Sequence, residues 1–479
     1  MLSILPWFIP TLILIFVTIT VWIWGKVTIS WLNWLASGII LLYPFEYFPT
    51  LDIGPATLKP SFILTLVTLW VFAILMMKKD RELLSTTIQP IAYWFTAFYV
   101  AQLPSWFVVT DGTRFWTTQI ATFGVIFASL IIAHFSKNPV KDIKRLVMVM
   151  IGICIFATFQ FIGDMIGLPE SITQLRENYT KAVFGFPRVH ATALEPQLFA
   201  GMLFLPIITF ILYISSSKKL WFIPEKYVNK LKQIPFFGNS LYANEISKSG
   251  FSQLVAFLFI TAILIVTISK GAYLALVIIL PILMILTMKN INYRPVLAIA
   301  SIALILAGLA LAGLAIKSEK VRYSLADVYG NFYLTILGET GSAVERESFQ
   351  NVATYLAEKS PITGVGSGNY GKTAAFLLPE YAENNPGALI VNNVYLEMYA
   401  ELGLFTLLVF ISFLGWMIFR SWLYIQTNEK IDEKYLAILA TTFALIAYLI
   451  QWVNFSPLYI TPVFIIIGLL NALFRQEKD

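Results

Sequence analysis

The sequence is poor in charged residues. Only 13% of its 479 residues are Asp, Glu, Lys or Arg, whereas 58% are hydrophobic, and the mean hydropathy is +0.76. A soluble globular protein carries about 25% charged residues, because charged side chains have to cover its surface. The composition therefore excludes a soluble enzyme, a nucleic-acid-binding module and a disordered scaffold, and it indicates an integral membrane protein.

Cysteine and histidine are also scarce. The one cysteine, Cys154, lies within an apolar run, which excludes an intrachain disulfide and a cysteine metal site. The two histidines, His134 and His190, argue against a histidine-based metal centre. The chain is therefore expected to work without a metal ion and without a cofactor.

Long apolar runs fill most of the chain. A helix needs about 20 apolar residues to cross about 30 Å of hydrocarbon. This length predicts spans at residues 6–24, 27–46, 61–77, 89–109, 116–135, 145–167, 192–214, 251–268, 271–288, 295–316, 396–419, 435–453 and 457–474. The expected fold is an all-α integral membrane protein with about 12–13 transmembrane helices. The first run follows no basic segment, so it is expected to be a retained span.

Lysine and arginine orient the predicted spans. Five loops are basic, at residues 78–82, 136–145, 215–250, 289–294 and 420–434. The alternate loops, near residues 47–60, 111–115 and 454–456, carry almost no charge. Basic loops stay in the cytoplasm, so this alternation sets the topology. It also accounts for the net charge of +6, and no nucleic-acid partner is expected.

Two longer segments then fall outside the membrane, at residues 168–191 and 317–395. The predicted organisation has ten transmembrane helices in residues 1–316, a large extracytoplasmic loop at 317–395, and C-terminal transmembrane helices in 396–479. Residues 215–250 form a cytoplasmic loop within the first part. Long translocated loops usually carry function, so the site is expected at the outer face.

The large loop contains a predicted helix and a glycine-rich turn. Residues 342–358 have helical spacing and include Arg346, and Ser360-Pro361 stops the helix. A tight turn follows that ends at Asn369 and contains Gly364, Gly366 and Gly368. Alternating glycines let backbone N–H groups approach an anion, although a plain loop turn explains them equally well.

Asn392 and Asn393 precede the span predicted at 396–419. Asparagine suits the start of a helix, because its side chain accepts hydrogen bonds from free N–H groups. Helix capping is therefore the simple interpretation of both residues, and contact with a ligand is the second interpretation.

Several ionisable residues lie at the mouths of predicted spans. Arg188, His190 and Glu195 precede one span, and Lys270 lies in the outer turn 269–273 between two others. Ionisable residues at membrane depth are costly and are functional candidates. An interfacial Arg–Glu pair and a lysine that reaches the lipid head groups are the simpler explanations.

Taken in order, these motifs resemble the O-antigen ligase/polymerase family. They are an Arg followed by Glu-Pro opening a span, a Ser-Lys-Gly outer turn, an Arg-led helix, a P-x-x-G-x-G-x-G-N turn, and N-N-x-Y-L-E-x-x-x-E-x-G-L entering a late span. The resemblance covers roughly residues 185–410. It implies an enzyme that transfers glycan from a polyprenyl-diphosphate-linked oligosaccharide outside the bacterial cytoplasmic membrane.

The resemblance also implies roles for named residues. Fixed cations would stabilise the diphosphate leaving group, and Arg188, Lys270 and Arg346 match that role. Glu195 would be the general base, with His190 second. The residues that would contact substrate are His190, Gly366, Gly368, Asn369, Tyr370, Asn392 and Asn393.

Two departures from the family pattern bear on the reaction. The outer turn has Lys270 where the family usually has Arg, and Asn392-Asn393 stands where ligases usually have His-Asn. The missing histidine favours a polysaccharide polymerase over an O-antigen ligase. The lack of an outer carboxylate cluster of the D-x-D kind favours a metal-independent enzyme. A lipid-linked oligosaccharide flippase and a peptidoglycan polymerase also fit the number of spans. Membrane lipids are expected partners, and a chain-length regulator is a further one.

Overall fold

The computed structural model describes most of the bundle of helices and parts of both outer segments. The described residues are 18–20, 24, 26–46, 49, 51–53, 56–80, 90–180, 186–216, 218, 220, 250–288, 291, 341–382, 389–428, 430–456 and 461–475. The spans predicted at 295–316 and, for the most part, at 6–24 lie outside these residues, as does most of the loop predicted at 215–250.

The described part is helical apart from one short antiparallel pair of strands, β1 (Leu51–Ile53) and β2 (Ala56–Leu58). The helices are α1 (Ile29–Leu42), α2 (Pro60–Met77), α3 (Pro90–Trp106), α4 (Gly112–Phe135), α5 (Pro139–Met165), α6 (Glu170–Thr173), α7 (Pro196–Met202), α8 (Phe204–Ser215), α9 (Gly250–Val266), α10 (Lys270–Thr287), α11 (Gly341–Lys359), α12 (Tyr370–Leu377), α13 (Pro379–Ala382), α14 (Val394–Leu402), α15 (Leu404–Thr427), α16 (Glu433–Gln451) and α17 (Thr461–Arg475).

The length of these helices confirms the predicted polytopic all-α membrane fold. Within the described residues, seven helical stretches are long and apolar enough to cross a membrane: Pro60–Met77, Gly112–Phe135, Pro139–Met165, Pro196–Ser215, Lys270–Thr287, Leu404–Thr427 and Glu433–Asn454. Three shorter apolar helices are Ile29–Leu42, Ser252–Val266 and Thr461–Arg475. The protein is therefore a multi-pass membrane protein.

Short polar residues start several of the long helices. The side chains of Asp111, Asn138 and Asp432 each accept a hydrogen bond from a backbone N–H in the first turn of α4, α5 and α16. These caps satisfy N–H groups that have no partner inside the helix. Pro196 is the first residue of α7, as its fixed φ predicts.

The helix predicted at 396–419 is broken. Helix α14 ends at Leu402, and α15 begins at Leu404 after Gly403, whose φ is +82°. The turn that follows α11 packs against this break: Leu404 N–H donates to Pro361 O at 2.8 Å, and a Cβ added to Gly403 would collide with Ile362 O. The prediction of one continuous helix was wrong. The turn packs against the break, which requires a positive φ at Gly403 that glycine adopts without strain.

The core of the bundle is formed by helices that are buried on nearly all sides. Almost every side chain of α8 and α17 is buried, and most of α16 is buried as well. In α2 and α10, by contrast, one face is exposed and apolar. A helix that is hydrophobic all round belongs in the centre of a large bundle, whereas a peripheral span presents apolar side chains to lipid.

Loops that the sequence places outside the membrane meet at one end of the bundle. Thr192 Oγ1 donates to Pro44 O at 2.7 Å, and Gln197 Nε2 donates to Asn454 O at 3.0 Å. This end is called the predicted outer end. The opposite end, which contains Asp142, Lys144 and the last residue of α17, is called the predicted cytoplasmic end.

Candidate functional site

Arg188 joins the outer segment to the turn before α10. Its backbone N–H donates to Tyr179 O at 2.9 Å, and its guanidinium donates to Thr267 O at 3.4 Å and to Ile268 O at 3.3 Å. The guanidinium also lies 5.9 Å from the centre of the Tyr179 ring, which suits a cation–π contact. Burial lowers the pKa of Arg188, and Arg346 lowers it further. The cation is held by carbonyl and aromatic groups at a fixed place.

Three of the predicted cations come together although they belong to distant segments. Lys270 begins α10 directly after Ser269, and Arg346 lies on α11; both side chains are exposed. The positive charges of Arg188 and Arg346 act on the Lys270 ammonium. The fold therefore gathers like charges, an arrangement that is unfavourable without an anion to offset it.

Glu195 faces this group of cations. It precedes Pro196 at the start of α7 and is half-buried. Burial raises the pKa of the Glu195 carboxyl, while the positive charges of Arg176, Arg188 and Arg346 oppose that rise. We call Arg176, Arg188, Lys270 and Arg346 the cation cluster.

Arg176 was missed by the sequence analysis. It lies in the outer segment, where its Nη1 donates to Leu194 O at 3.2 Å. No motif surrounds it, and positive charge in the segment 168–191 was its one signal. Its place beside Glu195 depends on the path of the segment, which local sequence does not reveal.

A cavity of about 610 Å³ opens beside Glu195. Residues from α3, α4, α12 and α14 line it, together with Leu194, Ser367 and Ser456. About half of the lining side chains are polar: Gln102, Thr113, Arg114, Thr117, Thr118, Thr122, Glu195, Ser367, Tyr370, Glu397, Glu401 and Ser456. We call this space the polar cavity, and Glu195 connects it to the cation cluster.

The glycine turn encloses a carboxylate of the chain itself. Gly364, Gly366 and Gly368 all have positive φ, as their alternation predicts. The N–H groups of Gly368 and Tyr370 donate to the two carboxylate oxygens of Glu401 at 2.8 and 2.9 Å. The predicted approach of N–H groups to an anion is thus present, but Glu401 supplies the anion instead of a substrate.

Glu401 is buried within this turn. The two N–H donors offset the cost of burying its carboxylate, because a buried charge needs hydrogen-bond partners. An added Cβ on Gly368 would lie 2.5 Å from Thr118 Oγ1. Gly366 and Gly368 therefore hold the turn on α14 and α4, and contact with substrate at either glycine remains a prediction.

Asn369 and Tyr370 are also committed to the fold. The Asn369 side-chain oxygen accepts hydrogen bonds from the N–H and hydroxyl of Thr110 and from the N–H of Asp111, at 3.1, 2.9 and 2.7 Å. The Tyr370 hydroxyl donates to Phe349 O at 2.7 Å. Both side chains are buried and join α12 to α4 and α11, while sugar contacts at either residue remain predictions.

His190 is fully buried and cannot reach a substrate. Its Nε2 accepts a hydrogen bond from Arg176 N–H at 3.3 Å, and its ring packs edge-on against Tyr179. Burial lowers the pKa of His190 to about 4. The predicted substrate contact and the secondary role as base are therefore wrong, because the imidazole is enclosed by its own segment.

Asn393 caps α14 by accepting a hydrogen bond from Leu396 N–H at 3.1 Å. Asn392 has a positive φ of +56°, and its side-chain amide donates to Ile390 O at 3.4 Å. Both residues are partly exposed. The capping interpretation is thus confirmed for Asn393, while sugar contacts at either residue remain predictions.

A comparison with known families identifies the central part of the chain. Residues 255–411 match the family model described as O-Antigen ligase. This part of the chain is similar to O-antigen ligases. The match includes Lys270, Arg346, the glycine turn and Glu401, while Arg176, Arg188 and Glu195 precede it. It confirms the resemblance found in the sequence, and no curated protein matches the chain.

The match indicates an O-antigen ligase/polymerase-type function and a glycosyltransferase-like activity. It supports a polymerase and a ligase equally. The choice between the two reactions, the donor and the placement of the site therefore belong to the proposal that follows.

Proposed function

We propose that the protein is a polysaccharide polymerase at the outer face of the bacterial cytoplasmic membrane. It transfers glycan from a polyprenyl-diphosphate-linked donor to a hydroxyl of an acceptor sugar. The observation that supports this proposal best is the convergence of Arg176, Arg188 and Arg346 near Glu195, with Lys270 near Arg188 and Arg346, beside the polar cavity. The family match independently supports glycan transfer.

The cation cluster fits a diphosphate. Breaking the bond between the sugar and the diphosphate leaves negative charge on phosphate oxygens, and fixed cations stabilise such charge as it develops. Arginine contacts phosphate through paired N–H groups, and lysine acts as a compact charge. A bound diphosphate would also remove the repulsion between Arg188, Lys270 and Arg346, so no metal ion is required.

Glu195 is placed to act as the base. In the proposed step the acceptor hydroxyl oxygen forms a bond to the anomeric carbon of the donor sugar, and the bond from that carbon to the diphosphate oxygen breaks. The hydroxyl proton passes to the Glu195 carboxylate, and the electron pair stays on the diphosphate. Because burial raises the pKa of Glu195, the rate is expected to fall in mildly acidic solution.

The residue at the start of the broken late helix favours a polymerase. Asn392 occupies the position where ligases of this family carry histidine, and an amide cannot exchange a proton at neutral pH. A ligase, which transfers the glycan to a separate lipid acceptor, is the second candidate because the matched domain carries that description.

The decisive experiment is transfer by the purified full-length protein in nanodiscs. The substrate is the polyprenyl-diphosphate-linked repeat unit of the source strain, supplied without nucleotide and with EDTA present. A ladder of repeat multiples on a gel is expected. The matched variants are Glu195→Gln, which removes the proposed base, and Glu347→Gln, which changes an exposed carboxyl on α11.

Different products would redirect the proposal. A single addition onto a supplied lipid acceptor, with no ladder, would establish a ligase. Movement of the intact lipid-linked unit across a sealed bilayer, without any transfer, would establish a flippase. A ladder that disappears with EDTA would contradict the metal-independent mechanism.

A further inference from the structure

We infer that the polar cavity is a saccharide subsite in which Glu397, Ser456 and Gln102 bind the acceptor sugar that carries the attacking hydroxyl. This inference rests on the proposed function. It assigns recognition of the acceptor to side chains that lie outside the cation cluster and that the sequence analysis did not single out.

Buried polar atoms with few partners gather around this cavity. Within the described part of the chain, Gln102 Nε2 has no hydrogen-bond partner, and Glu397 Oε2 and Ser456 Oγ have no partner other than each other; all three atoms are buried. The exposed fractions of Gln102 and Ser456 are only 1% and 2%. Buried polar atoms in proteins are hydrogen-bonded in the great majority of cases, so this incomplete set in the lining of one cavity points to a ligand.

These residues come from three separate elements. Gln102 lies on α3, Glu397 lies on α14, and Ser456 lies just after α16. The Ser456 hydroxyl is close enough to the Glu397 carboxyl to form a hydrogen bond with it. The Gln102 side-chain oxygen already accepts a hydrogen bond from Gln119 Nε2 at 3.1 Å, which fixes its amide nitrogen as the remaining donor. The fold thus directs polar groups from three directions to the same space, as in a binding pocket.

The combination of donors and acceptors fits sugar hydroxyls. Gln102 Nε2 donates, the Glu397 carboxyl accepts, and the Ser456 hydroxyl does both. A ligand for this set must both accept and donate hydrogen bonds, which vicinal hydroxyl groups do. Thr118 and Thr122, four residues apart on α4, add two further hydroxyls to the lining.

A second groove of the protein shows the contrast. It has a volume of about 280 Å³ and is lined mainly by aliphatic and aromatic side chains of α2, α3 and α4, including Leu66, Trp116 and Phe123. Tyr99 and Gln119 in its lining each have a buried oxygen without a hydrogen-bond partner, but none of its lining residues is charged. The lining of the polar cavity, by contrast, includes Arg114, Glu195, Glu397 and Glu401, so that cavity is the better match for a saccharide.

The position of the cavity connects it to the reaction. Glu195 lines the cavity and also faces the cation cluster. A volume of about 610 Å³ lies within the usual range for small-molecule sites, roughly 300–1,000 Å³. A sugar bound to Glu397 and Ser456 can therefore present a hydroxyl towards Glu195 while the diphosphate occupies the cations.

Binding of the free glycan tests the subsite without requiring transfer. The probe is the repeat-unit oligosaccharide released from its polyprenyl diphosphate by mild acid. Its dissociation constant for the full-length protein in nanodiscs is measured by saturation-transfer NMR. Glu397→Ala is expected to weaken binding about tenfold or more, and Ser456→Ala by about three- to tenfold, as hydrogen bonds to a buried site are lost.

Three variants serve as controls. Arg188→Ala and Lys270→Ala should leave binding of the diphosphate-free probe within about twofold, and so should Glu347→Ala at an exposed position. Glu397→Gln should bind more tightly than Glu397→Ala, because the amide restores a hydrogen-bonding group of the same shape. If Glu397→Ala does not fold, the Gln102→Leu and Ser456→Ala variants decide the result.

The outcomes separate the two proposals. Unchanged binding in both Glu397→Ala and Ser456→Ala would overturn the subsite, as would a loss of binding in Arg188→Ala alone. Binding that depends on Glu397 in a protein that shows no transfer would support the subsite and refute the polymerase.

Discussion

The two ends of the bundle treat charge in opposite ways. At the predicted cytoplasmic end, Asp142 accepts hydrogen bonds from Ser37 and Ser136 at 3.0 and 2.8 Å, and Lys144 pairs with Glu433 at 2.6 Å. At the predicted outer end, Arg176, Arg188 and Arg346 act on Glu195, and Lys270 lies near two of them. The first end satisfies its charges within the fold, whereas the second gathers an excess of positive charge. We propose that this excess serves an anionic ligand.

Removal of a cation at the outer end should have the largest effect on activity. We expect Arg188→Ala, Lys270→Ala and Arg346→Ala each to reduce transfer about 10²–10³-fold, or roughly 3–4 kcal/mol in the barrier, by analogy with loss of an oxyanion-hole donor. The melting temperature of Lys270→Ala and Arg346→Ala should stay the same or rise, since like charges repel each other. Arg188→Ala should melt lower, because it also loses its hydrogen bonds to Thr267 O and Ile268 O. Steady-state transfer and thermal unfolding of the nanodisc protein provide both measurements.

Lys359→Ala is the matched control for these variants. Lys359 ends the helix that carries Arg346, and its ammonium lies 5.5 Å from the centre of the Tyr355 ring. It is expected to retain activity within about twofold, which corresponds to less than about 0.5 kcal/mol. Full activity in all three cluster variants would contradict the assignment of these cations to a diphosphate.

Acidic pH should destabilise the predicted outer end because His190 becomes protonated. The pKa of His190 falls from 6.5 to about 4 on burial, so the folded state favours the neutral ring. Its stabilising contribution is fully present above pH 6.5 and decreases as the pH falls towards 4, by up to about 3 kcal/mol. The measurement is the melting temperature across this range, together with hydrogen exchange of residues 186–195.

His190→Gln should flatten the pH dependence of stability, because glutamine does not titrate. His134→Gln, which changes the second histidine at the predicted cytoplasmic end, should leave the loss caused by His190 in place. An identical pH dependence in wild type and His190→Gln would show that different groups control it.

Loss of a cation at the cytoplasmic end should affect stability instead of activity. Arg475 donates to Ala133 O at 3.1 Å, to Ser136 O at 2.6 Å and to His134 O, and so satisfies carbonyl groups at the end of α4. We expect Arg475→Ala to lower the free energy of unfolding by about 1.5–3 kcal/mol. Transfer per folded molecule should not change. A loss of transfer as large as that of Arg188→Ala would contradict the distinction between the two ends of the bundle.

The sequence predicts the features of this protein that depend on nearby residues. Long apolar runs specify spanning helices because each helix satisfies its own backbone hydrogen bonds in lipid. Ser360-Pro361 stops α11, which ends at Lys359, and alternating glycines produce a turn with positive φ. Arg188, Lys270 and Arg346 were singled out from local motifs, and the fold brings them together.

Contacts between distant residues could not be predicted in the same way. Glu401 binds the N–H of Gly368 from 33 residues away, and nothing near either residue indicates that pairing. The break at Gly403 is hidden because apolar residues continue on its C-terminal side. In the sequence, Gln102 and Ser456 are ordinary polar residues near the ends of predicted spans. Their buried polar groups become notable only when the fold places α3 and the residues after α16 beside one cavity.

The smallest effect is expected for the ion pair between Lys144 and Glu433. Their side chains are separated by 2.6 Å, with exposed fractions of 22% and 49%. Water screens such a pair, so Lys144→Ala should change the free energy of unfolding by less than about 1 kcal/mol, and transfer should be unaffected. A double-mutant cycle with Glu433→Ala measures the coupling between the two charges. A coupling above about 2 kcal/mol would show that this ion pair stabilises the protein as much as the carbonyl contacts of Arg475 do. It would also show that exposure to water does not weaken the pair.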